Sequence, residues 1–371
     1  MIYLDYNANA PVFDEVIDNI STQMKNYGNP SAIHTQGKML DLTVEQCRHN
    51  ILNFFNAHNS KLIFTSSGTE SNNILLKKIK NIDYFFTLPT EHVSVLESRN
   101  DFRIISVDKF GIIQTGHLEK EIKKVGKKKF LVSVMLVNNE NGVIQPINDI
   151  VEIVKKYGGI IHCDGAQAVG KIDIDFNKLG IDALTLSSHK FGGPIGIAAL
   201  IFNKNVAINN FLKGGEQELG IRSGTTNTPL ISGFNYALKM TKTKSYIKRM
   251  KTAYSWQDEL ENKIVKNAPE TIIFGKGQRR LGNVIQFCIP TIQSENIIFP
   301  MDIDNIYISS GSSCSSKVKK ESHVIKSMNY AEQIYSNTIR VSWGWKTKKN
   351  ELFIFMNKLK EIIDIHKAKA A

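Results

Sequence analysis

The chain has 371 residues, 42 % hydrophobic and 22 % charged, which suits a globular enzyme of one large and one small domain and excludes a fibrous or disordered chain. No apolar run approaches the roughly 18 residues needed to cross a bilayer, and the acid-bearing start MIYLDYNANAPVFDEV is unlike a signal peptide, so a cytoplasmic protein with no membrane partner is expected. The formal net charge is +12, yet lysines such as Lys120, Lys123, Lys124 and Lys127 to Lys129 are scattered without an arginine-rich stripe or interleaved aromatics, so no specific nucleic-acid binding is expected.

Residues 1–11 read as an extended arm ended by Pro11. Val16, Ile17, Ile20 and Met24 mark one face of a helix over 14–27. The turn cluster Tyr27-Gly28-Asn29-Pro30-Ser31 comes next, then a long helix over 35–55. Short apolar runs then alternate with helical stretches: Leu62 to Phe64, Tyr84 to Phe86, Phe130 to Val137, Ile160-Ile161, Leu184 to Leu186 and Ile197 to Phe202. Such alternation predicts βα units and a mostly parallel sheet covered on both faces, whose ligands bind beyond the carboxyl ends of the strands.

Chemically capable residues stand at one predicted strand end after another. Phe64 is followed by Thr65-Ser66-Ser67-Gly68-Thr69-Glu70-Ser71 at the start of a helix, an outline of a phosphate cradle without the Gly-Lys-Ser/Thr of a Walker loop. Glu91-His92 follows the next run, Asn138-Asn139-Glu140 the third, His162-Cys163-Asp164 and Gln167 the fourth, and Ser187-Ser188-His189-Lys190 the fifth. Lys190 stands between a strand and the turn Phe191-Gly192-Gly193-Pro194. A lysine after a strand is ordinarily a solvated surface group. Beside a phosphate cradle, an imidazole, an amide and a carboxylate, the lysine suits a Schiff base with the aldehyde of pyridoxal 5'-phosphate.

The segments GNPSAIH, FTSSGTESNN, TEHVSVL, VNNENGVIQPI, HCDGAQAVGKIDID, LSSHKFGGPIG, GIRSGTTN, SSGSSCSS and IRVSW occur in this order from Leu4 to Trp343. Together they resemble the cysteine desulfurases, class V aminotransferase relatives with a long cysteine loop. The resemblance implies an α/β, pyridoxal-phosphate-dependent fold type I enzyme and a homodimer. Its central sheet would be mostly parallel and its C-terminal domain a smaller α+β unit. The implied reaction converts L-cysteine to L-alanine and leaves a persulfide on Cys314. A sulfur-acceptor protein of iron–sulfur cluster assembly or transfer-RNA thiolation would then take the sulfur. Carried over by motif, Lys190 is the Schiff-base lysine, Asp164 the pyridinium partner, Gln167 a neighbour of the ring's phenolic oxygen, and His92 the stacking imidazole that shuttles protons. Asn139 contacts cofactor and substrate. Gly68, Thr69, Ser187 and His189 hold the phosphate, Thr225 reaches the phosphate of the partner subunit, and Arg340 clamps the substrate carboxylate. No metal site is implied. Another class V activity, such as a transaminase or a selenocysteine lyase, is the alternative, as is a decayed paralogue serving as a binding partner.

Several positions depart from the family pattern: Leu219 stands where Arg is common, Glu216 where Gly is common, and Asn9-Ala10 where threonines are usual. The stretch KVKKESHV after Cys314 is unusually basic. The later chain predicts a helix over 227–240, a long polar helix over 243–266, and strands over 271–274 and 283–288. A large domain over 12–245 and a small one over 246–371 with arm 1–11 are expected, the small one carrying the cysteine loop. Cys47, Cys163 and Cys288 are expected to be packing thiols, with Cys163 on the opposite side of its strand from the Asp164 carboxylate. Ser309 to Ser316, with no apolar side chain, reads as an exposed loop around Cys314.

Overall fold

The computed structural model describes residues 1–311 and 321–370. Its main sheet has seven strands: β2 (Ser60–Thr65), β3 (Tyr84–Thr87), β4 (Phe102–Ile104), β5 (Phe130–Met135), β6 (Ile160–Asp164), β7 (Ala183–Ser187) and β8 (Ala198–Asn203). Their order is β2-β8-β7-β6-β5-β3-β4. All neighbours pair in parallel except β8, which runs antiparallel to both β2 and β7. The carboxyl ends of β2, β3, β5, β6 and β7 therefore share one rim. Each of β5 and β7 is buried along its whole length, as expected of strands covered on both faces. Strand β6 extends through Asp164, so His162 lies inside the sheet and not at the rim. There its ring bridges Ser133 Oγ at 2.9 Å and Thr185 Oγ1 at 3.0 Å, satisfying three buried polar groups across β5, β6 and β7.

A second, antiparallel sheet has the order β12-β13-β10-β9, from β9 (Ile272–Ile273), β10 (Val284–Cys288), β12 (Ser309–Ser310) and β13 (Ile339–Ser342). Ser309 and Ser310 thus form a strand where a loop is predicted. Backbone pairing with Arg340 and Ile339 holds them, and that pairing needs no apolar side chain. The arm contributes β1 (Ile2–Tyr3), parallel to β11 (Ile306–Tyr307). Ile2 and Leu4 pack in a separate core with Leu260, Phe287, Trp343 and Phe355. The predicted helix over 243–266 is two helices, Lys244–Tyr254 and Gln257–Asn267, interrupted at Ser255-Trp256. The first bridges the two cores, lending Tyr246 and Met250 to the larger one and Ala253 to the second. Trp343 fixes this junction by donating Nε1–H to the Ala253 carbonyl at 2.8 Å. Among the described residues no helix is long and apolar enough to cross a membrane.

Candidate active site

Ten of the predicted site residues line one cavity of about 230 Å³ on the strand-end rim: Gly68, Thr69, His92, Asn139, Asp164, Gln167, Ser187, His189, Lys190 and Arg340. A larger, mostly apolar cavity of about 380 Å³ lies elsewhere, between Phe55, Ile174 and Met250, and carries none of them. Thr225 lies apart, in a separate recess with Arg222 and Asn227. Cys314 lies outside the described residues.

Lys190 ends the short turn Ser188–Lys190 that continues β7. Its two C-terminal neighbours fix it. Phe191 is fully buried and packs edge-on against Phe234 at 5.3 Å, a burial that stabilises by roughly 2–3 kcal/mol. Gly192 has φ of 89°, and a Cβ there would lie 2.4 Å from the Phe13 ring, so both backbone and space require glycine. The Lys190 amine donates to the carbonyls of Asn7 at 2.7 Å and Ala8 at 2.8 Å.

Asp164, at the end of β6, is buried. Its Oδ2 accepts from Asn72 Nδ2 at 2.9 Å and its Oδ1 from the Ala166 amide at 2.9 Å. Asn72 also donates to Ser94 Oγ at 2.9 Å. Ser94 Oγ lies 2.8 Å from His92 Nδ1, which also accepts the Ser94 amide at 3.1 Å. Nδ1 is thereby an acceptor, and the neutral ring carries its proton on Nε2. Burial lowers the His92 pKa, aided by the positive charges of Lys190 and His323 and opposed by Asp164.

The helix Gly68–Lys78 begins at the cavity. Ser67 caps it, its side chain accepting the Glu70 amide at 3.2 Å. The amides of Gly68 and Thr69 fall in the first turn, where no upstream helical carbonyl exists, and they make a natural anion seat. A Cβ on Gly68 would meet nothing closer than 3.5 Å, so space alone does not demand this glycine. Ser187 and His189 complete this corner. His189 Nδ1 lies 3.0 Å from Asn9 Oδ1, so one of the departing arm residues touches the site directly. Burial, helped by Lys190, lowers the His189 pKa to about 4.

Arg340 lies within β13 and is buried. Its guanidinium donates to Asp5 Oδ1 at 2.8 Å and to the Asn139 carbonyl at 3.2 Å. The side-chain Oδ1 of Asn139 is buried without a hydrogen-bond partner among the described residues.

Asp5, Asn7 and Asn72 carry no role that the sequence alone predicts. Asn7 is 1 % exposed. Its carbonyl accepts from Gln167 Nε2 at 2.8 Å as well as from Lys190, and its Nδ2 donates to the Asn139 carbonyl at 3.0 Å. The one available signal was for Asn72, four residues after Gly68 and so one helical turn along the same face. Leu219 and Glu218 take left-handed backbone angles, φ 61° and 48°. Leu219 is 57 % exposed, while the Glu218 carboxylate holds Arg48 at 2.9 Å and the Phe64 amide at 2.7 Å. The other three cysteines are buried, as expected: burial raises the Cys47 thiol to about 11, Cys288 to about 12, and Cys163 well above its ordinary range.

A lysine, a carboxylate and an imidazole at the strand ends, with a guanidinium from the second sheet, thus meet in one cavity. The family model for aminotransferase class V matches residues 2–355, and the chain belongs to that family. Within it, the chain groups with the cysteine desulfurases. It is 32 % identical to the cysteine desulfurase IscS of Dictyoglomus turgidum, over 98 % of this chain and 94 % of the relative. It is 34 % identical to the IscS of Ehrlichia chaffeensis, over 95 % and 88 %. Among solved structures, a NifS-like protein from Rickettsia africae superposes with a TM-score of 0.89 at 33 % identity, over 98 % of this chain and 99 % of that one. The architecture is fold type I.

Proposed function

We propose that the protein uses pyridoxal 5'-phosphate to take sulfur from L-cysteine, releasing L-alanine and leaving a persulfide on Cys314. The observation that carries this reading is the convergence of Lys190, Asp164, His92 and Arg340 on one cavity of about 230 Å³. The cofactor fits the groups present: an amine for its aldehyde, a buried carboxylate for its pyridinium nitrogen, helix-terminal amides and hydroxyls for its phosphate, and the unsatisfied acceptor Asn139 Oδ1. When bound, it supplies an electron sink for the substrate carbon.

The chain's own residues supply the rest. Arg340, held in place by Asp5, is positioned to receive the cysteine carboxylate. Neutral His92 presents a proton on Nε2 for exchange with the substrate, and the Asn72–Ser94 relay orients its ring. The Cys314 thiolate attacks the substrate sulfur. An S–S bond forms, the C–S bond breaks with its electron pair going to carbon, and that carbon takes a proton to become alanine. The persulfide then passes to an acceptor protein of iron–sulfur cluster assembly or transfer-RNA thiolation. A free sulfur-carrying thiol belongs in a reducing compartment, and we assign the cytoplasm. Exposed apolar side chains at Tyr27, Ile33, Leu42 and Ile195 favour a homodimer, and the recess at Thr225 is read as reaching the partner's phosphate. Residues 246–371 with arm 1–11 are read as the small domain.

The test is Cys314→Ser in the full chain supplied with cofactor and cysteine. The variant should keep the visible colour of the bound cofactor, yet form no persulfide and release almost no sulfide. Turnover equal to the parent would overturn the desulfurase assignment and favour a transaminase or lyase.

A further inference from the structure

Lys171 has no part in the chemistry above. It succeeds Gly170, whose φ is 72° and where a Cβ would lie 2.9 Å from Thr241 Cγ2 and 3.0 Å from Tyr246 Oη. Only glycine allows so tight a turn against these side chains. The turn sends Lys171 inward, and Tyr254 Oη anchors its carbonyl at 3.2 Å. The amine donates to Gln167 Oε1 at 2.7 Å and to Asn7 Oδ1 at 3.4 Å. Burial lowers its pKa to about 7, and the nearby charges of Lys190 and Arg340 push the same way.

The two amides touched by this amine are the ones that organise the site. An amide's oxygen and nitrogen ends have nearly the same shape, so packing alone does not decide which way it points; hydrogen bonds do. In either charge state the Lys171 amine has an N–H for each oxygen. Oε1 of Gln167 turned to Lys171 leaves Nε2 to donate to the Asn7 carbonyl, the same carbonyl that receives Lys190. Oδ1 of Asn7 turned to Lys171 leaves Nδ2 to donate to the Asn139 carbonyl.

We propose that Lys171 is a positioning residue that fixes the amide orientation of Gln167, and with it Asn7, so that their side-chain donors reach the Asn7 and Asn139 carbonyls at the cavity wall and Lys190 keeps its seat. The inference rests on the cofactor reading above. The experiment compares Lys171→Met, Gln167→Ala and the double variant by titrating cofactor-free full chain with pyridoxal 5'-phosphate, without cysteine. Affinity and the position of the visible band are recorded. Lys171→Met should weaken cofactor binding about tenfold, the scale of one misplaced hydrogen bond, and shift the band. In the Gln167→Ala background the same substitution should add less than about twofold, because the amide it acts through is gone. Lys171→Gln, which retains an N–H donor, should stay close to the parent. It also decides the matter if Lys171→Met does not fold. Fully additive effects overturn the proposal, as does a Lys171→Met protein with parental affinity and band, or a Lys171→Gln protein as impaired as Lys171→Met. A parent chain that binds no cofactor would instead overturn the proposed function.

Discussion

Two acidic residues beside the site have opposite relations to charge. Asp5 pairs with a buried guanidinium, and Asp5→Ala removes that contact. Loss of this partly exposed partner should lower stability by up to about 3 kcal/mol, read from the urea midpoint, and raise the KM for cysteine. Glu91 is fully buried, with Oε1 on the Met135 amide and Oε2 without a partner among the described residues. Burial, reinforced by Asp164, raises its pKa well above the ordinary value. A carboxyl whose pKa rises on folding contributes most at low pH and loses that contribution as pH climbs from the unfolded value towards the folded one. Glu91→Gln should therefore match the parent in acid and gain relative stability as pH rises above the ordinary carboxyl range. A difference that stays constant as pH rises would contradict a raised Glu91 pKa. Asp164, His92 and Lys190 were legible in the sequence because reactive side chains at strand ends announce themselves. Asp5 and Asn7 were not, because an extended arm has no periodicity to reveal which backbone and side-chain groups turn inward.

At the scale of elements, the cradle depends on one cap. Ser67→Ala removes the acceptor for the Glu70 amide and should cost about 1 kcal/mol in stability, measured by thermal unfolding. Phosphate affinity should fall with it, since the first turn of Gly68–Lys78 would fray. The alternating strand and helix pattern was readable because fully buried strands are near-continuous apolar runs. The same feature hid the reversal of β8: a strand buried on both faces looks alike in either direction. The break at Ser255-Trp256 was equally hidden. Polar faces run through both helices, and the interruption is set by Ala253 and Trp256 packing into the second core.

For the whole molecule, buried histidines weaken the fold in acid. His162 and His189 both fall to about 4 on folding, chiefly through burial. Between pH 6.5 and 4 the unfolded chain binds protons that the folded chain refuses, so stability drops as pH falls through that window. His162 alone should cost on the order of 3 kcal/mol by pH 4. A urea midpoint unchanged between pH 7 and pH 4.5 would contradict this. Assembly is tested by sedimentation. The parent should run as a dimer, and Leu42→Glu, which places a carboxylate on the exposed apolar surface, should shift it towards monomer. A monomeric parent that still turns over cysteine would contradict the role given to Thr225.

The arm has a consequence for synthesis. Residues 5 to 9 are made before all of their partners, which lie far along the chain: Lys171, His189 and Lys190, and finally Arg340 and Ser342. The seven-stranded sheet has all its strands once Asn203 has emerged. The guanidinium and the arm come together only after β13 has been made. A nascent chain can therefore carry every strand of the main sheet while the cavity still lacks Arg340. Sulfur would be withheld from every unfinished polypeptide, and reactivity would begin only when the arm meets β13.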